Sequence, residues 1–339
     1  MSKFQIIRTD PVQFKTQILD FWDKYLPGTP PARFEWLKHG NPAGPAIWLF
    51  AIESDNNEIA GMMSIMPKDM IRTGRIIRAG ILGDFMIHSK YRVFGPNLML
   101  LKTALADRTE LGFALLYTVP NAHSVPLIKR AGANSVGNFK NFVKPLEAKH
   151  YLRKHMDPFS QRLLAPFVDT GLRLISKDTY LSSKGFFEEI SGIDESFDLL
   201  WNIVKGSLVM AGDHSSSYLE WKYLLNPHHG FRVLTIKERA GGSLLGFVVF
   251  TVDQNRLNIY DMAALNKASV NQLLMKIVLI GRAENCISIN VSIFETNPLM
   301  PSFRSFRFLD AKTDFVVFSS GEEQWPGSGC YLFSGDRNI

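Results

Sequence analysis

One stretch carries charge, glycine and polar groups at spacings suited to holding an anion: GDFMIHSKYRVFGPNLMLLKTAL, residues 83–105. Within it Arg92, Gly95 and Asn97 stand in R-x-x-G-x-N order, where a strand-like apolar run gives way to a helical one. The first N–H groups of a helix lack partners inside it and sit at the positive end of its dipole, so they attract phosphate oxygens. Gly95 lets backbone approach closely and Arg92 adds a fixed charge. Pro96 suits a first helical turn but withdraws one N–H. The residues expected around such an anion are Arg92, Val93, Phe94, Gly95, Asn97 and Leu98. Three neighbours could move protons: Asp84 on the strand that enters the loop, Tyr117 on a later strand, and His123 beside Asn121. Asp84 also reads as a strand-end hydrogen-bond acceptor or a partner for Arg78, and the other two enter by proximity alone.

What must position these residues is written twice. FEWLKHGNP at 34–42 and LEWKYLLNP at 219–227 both read E-W-x₄-N-P. Trp22 matches Trp201, Gly61 matches Gly246, Asp84 matches Asp261, and Asn121 matches Asn297, in the same order along the chain. Matches in order, at a spacing that drifts by only a few residues, indicate a duplicated unit with small loop insertions. Each copy reads as a helix (12–25; 194–206), the E-W helix stopped by its proline, and a hairpin (IWLFAIE and AGMMSIM; FRVLTIK and LLGFVVF). A strand bearing the Asp follows, then a helix, a strand, an Asn opening a short helix, and a last strand (VGNFKNFVK; TDFVVFSS). Trp36 and Trp221 read as packing anchors, each closing the first helix pair of its own copy. The second copy has NKASVNQLL where the first has its loop, without arginine or glycine, and is expected not to bind the same ligand.

The loop, with NAHSVPLIKRAG at 121–132, resembles the GCN5-related N-acetyltransferase (GNAT) superfamily. That family's pyrophosphate loop reads R/Q-x-x-G-x-G/A, with Asn97 here at its last position, and its later segment reads N-x-x-A-x-x-L-Y-x-K-x-G. The likeness covers roughly residues 45–145, and the second copy makes the chain similar to tandem-GNAT acyltransferases. The resemblance implies an α/β fold of two tandem GNAT-like domains, 1–148 and 186–339, each a mixed twisted sheet flanked by helices, joined by a helical connector at 149–185. It implies acetyl-CoA or another acyl-CoA as co-substrate and no metal. The loop would grip the pyrophosphate, Asn121 would also contact the cofactor, and the Ile87 N–H would support the oxyanion. Asp84 would accept the amine's proton. The family's tyrosine, which gives the leaving thiolate its proton, falls on Ile128, leaving Tyr117 and His123 as stand-ins. The implied reaction is acyl transfer, acetyl foremost, to a small or sugar-borne primary amine. A Fem-type aminoacyl-tRNA-dependent transferase, a longer-chain acyltransferase and an inactive binding protein are the alternatives.

Composition bounds the rest. An apolar share of 46% against 21% charged excludes wholesale disorder, and 339 residues suit about two domains. Cys286 and Cys330 have neither metal nor CxxC spacing, which fits a reducing compartment. MSKFQIIRTD lacks the apolar core of a signal peptide, and no apolar run reaches the ~18 residues of a membrane span, so a cytoplasmic location is expected. The net charge of +6 suits an anionic ligand. Residues 129–154 hold seven Lys/Arg and one acidic residue but no interleaved aromatic platform, so nucleic acid is not the expected partner. Peripheral membrane contact and oligomeric state stay open. His228-His229 lacks companion ligands and reads as solvated loop.

Overall fold

Alternating and continuous apolar runs form the strands, of two to fourteen residues, of a computed structural model, which describes residues 3–92, 95–147, 149, 156–228, 230–311, 314–321 and 323–337. In the first copy, edge strand β1 (Phe4–Arg8) precedes helix α1 (Lys15–Tyr25), the short E-W helix α2 (Arg33–Lys38) and hairpin strands β2 (Ile47–Glu53) and β3 (Ile59–Arg72). Strand β4 (Arg75–Ile87) leads to helix α3 (Pro96–Ala106), which begins at its N1 proline and buries Leu100, Leu101 and Ala104. Strand β5 (Leu115–Thr118), helix α4 (Val125–Ala131) and strand β6 (Asn134–Pro145) follow. Gly132, in the left-handed conformation, ends α4.

A connecting helix α5 (Pro158–Leu174) leads to the second copy: β7 (Phe186–Ile190), α6 (Ser196–Val204), β8 (Met210–Gly212) and α7 (Ser216–Leu219) with a π turn at Glu220–Leu224. Then come β9 (Arg232–Lys237), β10 (Leu244–Asp253), β11 (Arg256–Ala264), α8 (Lys267–Ala283), β12 (Ser288–Phe294) and α9 (Met300–Ser305). The chain closes with β13 (Leu309–Asp310), β14 (Phe315–Gly321) and β15 (Cys330–Tyr331).

One mixed sheet runs unbroken through both copies in the order β1-β2-β3-β4-β5-β14-β6-β12-β11-β10-β9-β7. The last strands are exchanged. β14, from the second copy, pairs antiparallel with β5 of the first, while β6, from the first, pairs antiparallel with β12 of the second. β6 and β14 pair with each other at the centre. β8 adds a further link, lying between β15 and the end of β3.

The recurring tryptophans meet each other. Trp36 and Trp221 stack with ring centroids 4.5 Å apart and planes 9° from parallel. Each indole N–H donates to the other residue's carbonyl, Trp36 to Trp221 at 2.8 Å and Trp221 to Trp36 at 3.1 Å. They are packing anchors, but between the copies rather than inside each one. Gly61 and Gly246 recur for a shared steric reason. A Cβ on Gly61 would lie 2.9 Å from the Met86 carbonyl oxygen, and one on Gly246 2.8 Å from that of Ala263. Both hairpins press against the Asp-bearing strand where a side chain has no room.

Candidate active site

β4 and β5 are parallel neighbours only from Ala79 to Ile81, opposite Leu115 to Tyr117. A last side-chain link, Thr118 Oγ1 to the Leu82 carbonyl at 3.3 Å, marks where they part. Beyond it opens a cleft of about 500 Å³. Leu82, Gly83, Asp84 and Phe85 form one wall, and Thr118 to Asn121 with Ser124 form another. Met63, Leu101 and Ile128 supply apolar lining, Arg33 and Arg337 supply cationic groups, and His228 adds an imidazole.

Asp84 lies at a bulge. Ser64 pairs with Gly83 and Met62 with Met86, so Asp84 and Phe85 together oppose the single residue Met63. Its φ of +45° is unusual for a residue with a side chain and turns the carboxylate off the regular pleat. The carboxylate is buried and accepts one hydrogen bond on each oxygen, from Arg33 Nη2 to Oδ1 at 3.3 Å and from Ser64 Oγ to Oδ2 at 2.7 Å, which leaves further acceptor capacity. Its cationic partner is thus Arg33, not Arg78. Ile87, three residues on, is regularly paired opposite Gly61, so the irregularity lies earlier in the strand than Ile87. His88 N–H donates to the Ala60 carbonyl, and alternation directs the Ile87 N–H to the opposite side, from which β5 has departed.

The proposed proton donors fare differently from Asp84. Tyr117 is a correction: its phenol is buried away from the cleft and donates to the Asp336 carbonyl at 2.6 Å. Burial pushes its pKa far above the ordinary tyrosine range. His123 is exposed in the turn before α4 and does not line the cleft. Ile128 does line it and offers no proton.

At the anion loop, Gly95 is left-handed (φ +85°), and a Cβ there would meet nothing within 4 Å, so open space adjoins its backbone. Arg92 is exposed, its guanidinium 5.8 Å from the centre of the Tyr25 ring. Val93 and Phe94 lie outside the described residues, as does His229. Leu98 is a second correction. Its N–H is taken by the Asn97 side-chain oxygen at 2.8 Å and by the Gly95 carbonyl at 3.1 Å, so it is not offered outward. Asn121 borders the cleft, its side-chain oxygen accepting from the N–H and hydroxyl of Ser124. His228 also faces the cleft instead of standing in free solvent.

In the second copy β11 and β12 part likewise, after Ile259 and Val291. There the chain's own tail fills the gap. Phe333 bridges to Ile293, Phe294 N–H donates to the Leu332 carbonyl at 3.0 Å, and Ser334 Oγ donates to the Ile259 carbonyl at 3.4 Å. Asn297, the counterpart of Asn121, donates to the Leu332 carbonyl at 3.1 Å. Asp261 is engaged by His214 at 2.7 Å and Tyr223 at 2.8 Å. Burial disfavours a charged imidazole, but the Asp261 carboxylate outweighs it and holds His214 above its ordinary pKa. The tail ends on a buried ion pair between Asp336 and Lys68 of the first copy.

Arg33, Ser64 and Arg337 are the site residues that sequence reasoning missed. Arg33 stands three positions before the repeated tryptophan, but Tyr218 is its counterpart in the second copy, so no recurrence marks it. Among the described residues no group of three or more His, Cys, Asp or Glu could hold a metal, and no helix is long and apolar enough to cross a membrane.

No family model matches the chain, and no curated protein matches it in sequence. Solved structures do match it in shape. A conserved protein of unknown function from Enterococcus faecalis V583, described as a probable N-acyltransferase, is 13% identical, with a TM-score of 0.66 over 94% of this chain and 72% of that one. A GCN5-related N-acetyltransferase from Kribbella flavida is 13% identical, with a TM-score of 0.63 over 93% and 70%. The Saccharomyces cerevisiae N-myristoyltransferase, solved with bound myristoyl-CoA, is 11% identical, with a TM-score of 0.60 over 97% and 81%. The parted parallel strands, the helix that starts beside them and these neighbours agree: the chain has the fold of the GCN5-related N-acetyltransferases.

Proposed function

We propose that the protein is an acyl-CoA-dependent N-acyltransferase, with acetyl-CoA the first candidate donor and a primary amine the acceptor. The observation that carries this reading is the cleft between β4 and β5, which lies beside the strand that leads to the Gly95 turn. Acyl-CoA supplies a thioester whose carbonyl carbon the amine attacks, the C–N bond forming as the C–S bond breaks and the thiolate leaves. The Ile87 N–H supports the negative oxygen, a contribution of about 3 kcal/mol for such a donor. Asp84, held by Arg33 and Ser64, takes the amine's proton directly or through one water. With Ile128 apolar and Tyr117 committed elsewhere, the thiolate takes its proton from solvent at the cleft mouth.

Calorimetry with acetyl-CoA and longer acyl-CoAs tests the reading. Wild type is expected to bind, Arg92→Ala to bind about tenfold more weakly, and Gly95→Trp not at all, because the indole would occupy the open space beside the turn. Absence of binding by wild type at millimolar acyl-CoA would discard it.

A further inference from the structure

The cleft holds one cation that no described carboxylate answers. Its single acidic lining residue, Asp84, is already bonded to Arg33. Arg337 is the second arginine of the lining, and its guanidinium lies over the Phe315 ring at 4.2 Å, with the Phe139 ring at 5.9 Å. Its backbone is fixed on both sides. The N–H donates to the Ser334 carbonyl at 3.1 Å, the carbonyl accepts from the buried Lys222 ammonium at 3.3 Å, and the preceding Asp336 is locked to Lys68. The guanidinium is therefore positioned by structure rather than free to drift in solvent. Partial burial lowers its pKa below the ordinary arginine value.

We infer that Arg337 reads an anionic group, carboxylate or phosphate, carried by the acceptor amine. A planar guanidinium stacked on an aromatic face presents its fork of donors edge-on, the geometry that grips a carboxylate or phosphate with two parallel hydrogen bonds. Arg337 lies against Phe315 of β14 and Phe139 of β6, strands on the far side of β5 from β4 and the Gly95 turn that β4 leads to. It is therefore assigned to the acceptor, not to the CoA diphosphate. The inference rests on the acyl-transfer reading of this cleft and narrows its substrate class.

The test has a binding arm and a turnover arm. Protein saturated with CoA is titrated calorimetrically with inorganic phosphate and with acetate. Wild type is expected to bind one of them at millimolar concentration, Arg337→Gln at least about tenfold more weakly, and Arg337→Lys in between. Which anion binds tells phosphate from carboxylate, and CoA affinity itself is expected to be the same in all three proteins. For turnover, thiol release is followed with glucosamine against glucosamine 6-phosphate and with glycine against glycinamide. The anionic member should have the lower KM, and Arg337→Gln should erase that difference while leaving kcat in place. The inference is overturned if wild type binds neither anion, if Arg337→Gln binds them equally well, or if the variant loses CoA. A preference for the neutral amines overturns it too. If no pair is turned over, the titration decides alone. Failure of wild type to bind CoA would overturn the acyl-transfer reading separately, since the anion titration can be read without CoA.

Discussion

Lys222 shows what a single buried residue does to the whole chain. It is fully buried, its ammonium about equally close to the stacked rings of Trp36 (5.8 Å) and Trp221 (6.0 Å), with the Arg337 carbonyl as acceptor. Desolvation, then repulsion from Lys68 and Arg33, holds its pKa well below that of an ordinary lysine. An unfolded lysine keeps its proton up to about pH 10.4, so below that the unfolded chain binds more protons and this residue's contribution to stability rises with pH. Lys222→Met is expected to stabilise by about 2 kcal/mol at pH 7, with the gain shrinking toward pH 10. Urea midpoints of both proteins at pH 7 and 9.5 check this; an equal gain at both, or a loss, speaks against it. At Asp84 the sign is opposite. Asp84→Asn leaves the buried Arg33 guanidinium without its counter-charge and is expected to cost about 3 kcal/mol, whereas Ser64→Ala should cost about 1 kcal/mol. Denaturant titration of the two variants separates the ionic from the neutral contact. Asp84 was legible from its place on a strand entering the loop. Arg33 was not, because nothing local in PPARFEW says which carboxylate it will reach.

At the scale of elements, the E-W segments hold the copies to each other. Trp36→Ala and Trp221→Ala are each expected to cost about 4 kcal/mol, as large-to-small changes in a packed core do. Each removes one face of the same stack and one of two reciprocal hydrogen bonds, so the double variant should cost clearly less than the sum. A double-mutant cycle in urea measures the coupling, and strict additivity would contradict the stack. β2 and β12 begin and end where their apolar runs do, whereas β3 runs on to Arg72 beyond AGMMSIM and β4 starts at Arg75, before ILGDFMI. Edge strands β1 and β7 were missed, since an edge strand packs on one side only and its pattern is correspondingly weaker.

For the whole molecule the exchanged strands and the tail are decisive. β14 completes the sheet beside β5, β6 completes it beside β12, and Leu332 and Phe333 are buried in the second gap. Neither copy owns its full sheet, so the two are expected to unfold together. Far-UV circular dichroism and tryptophan fluorescence should give one coincident transition, and two separate midpoints would count against the exchange as a source of cooperativity. Removal of residues 330–339 should expose the β11–β12 gap and strip the buried Lys68 of its partner. The expected result is a loss of more than about 4 kcal/mol, with amide exchange rising first in β11 and β12.

The recurring residue pattern, the order of the helices and inner strands, and the helix opening at Gly95 and Pro96 were legible in the sequence alone, because periods of two and 3.6 residues, prolines and glycines act over a few neighbours. Which copy receives each last strand, what Trp36 stacks on, and what fills the second gap were decided only in three dimensions. Those choices depend on surfaces that exist once distant segments have folded against one another, and no spacing along the chain encodes them.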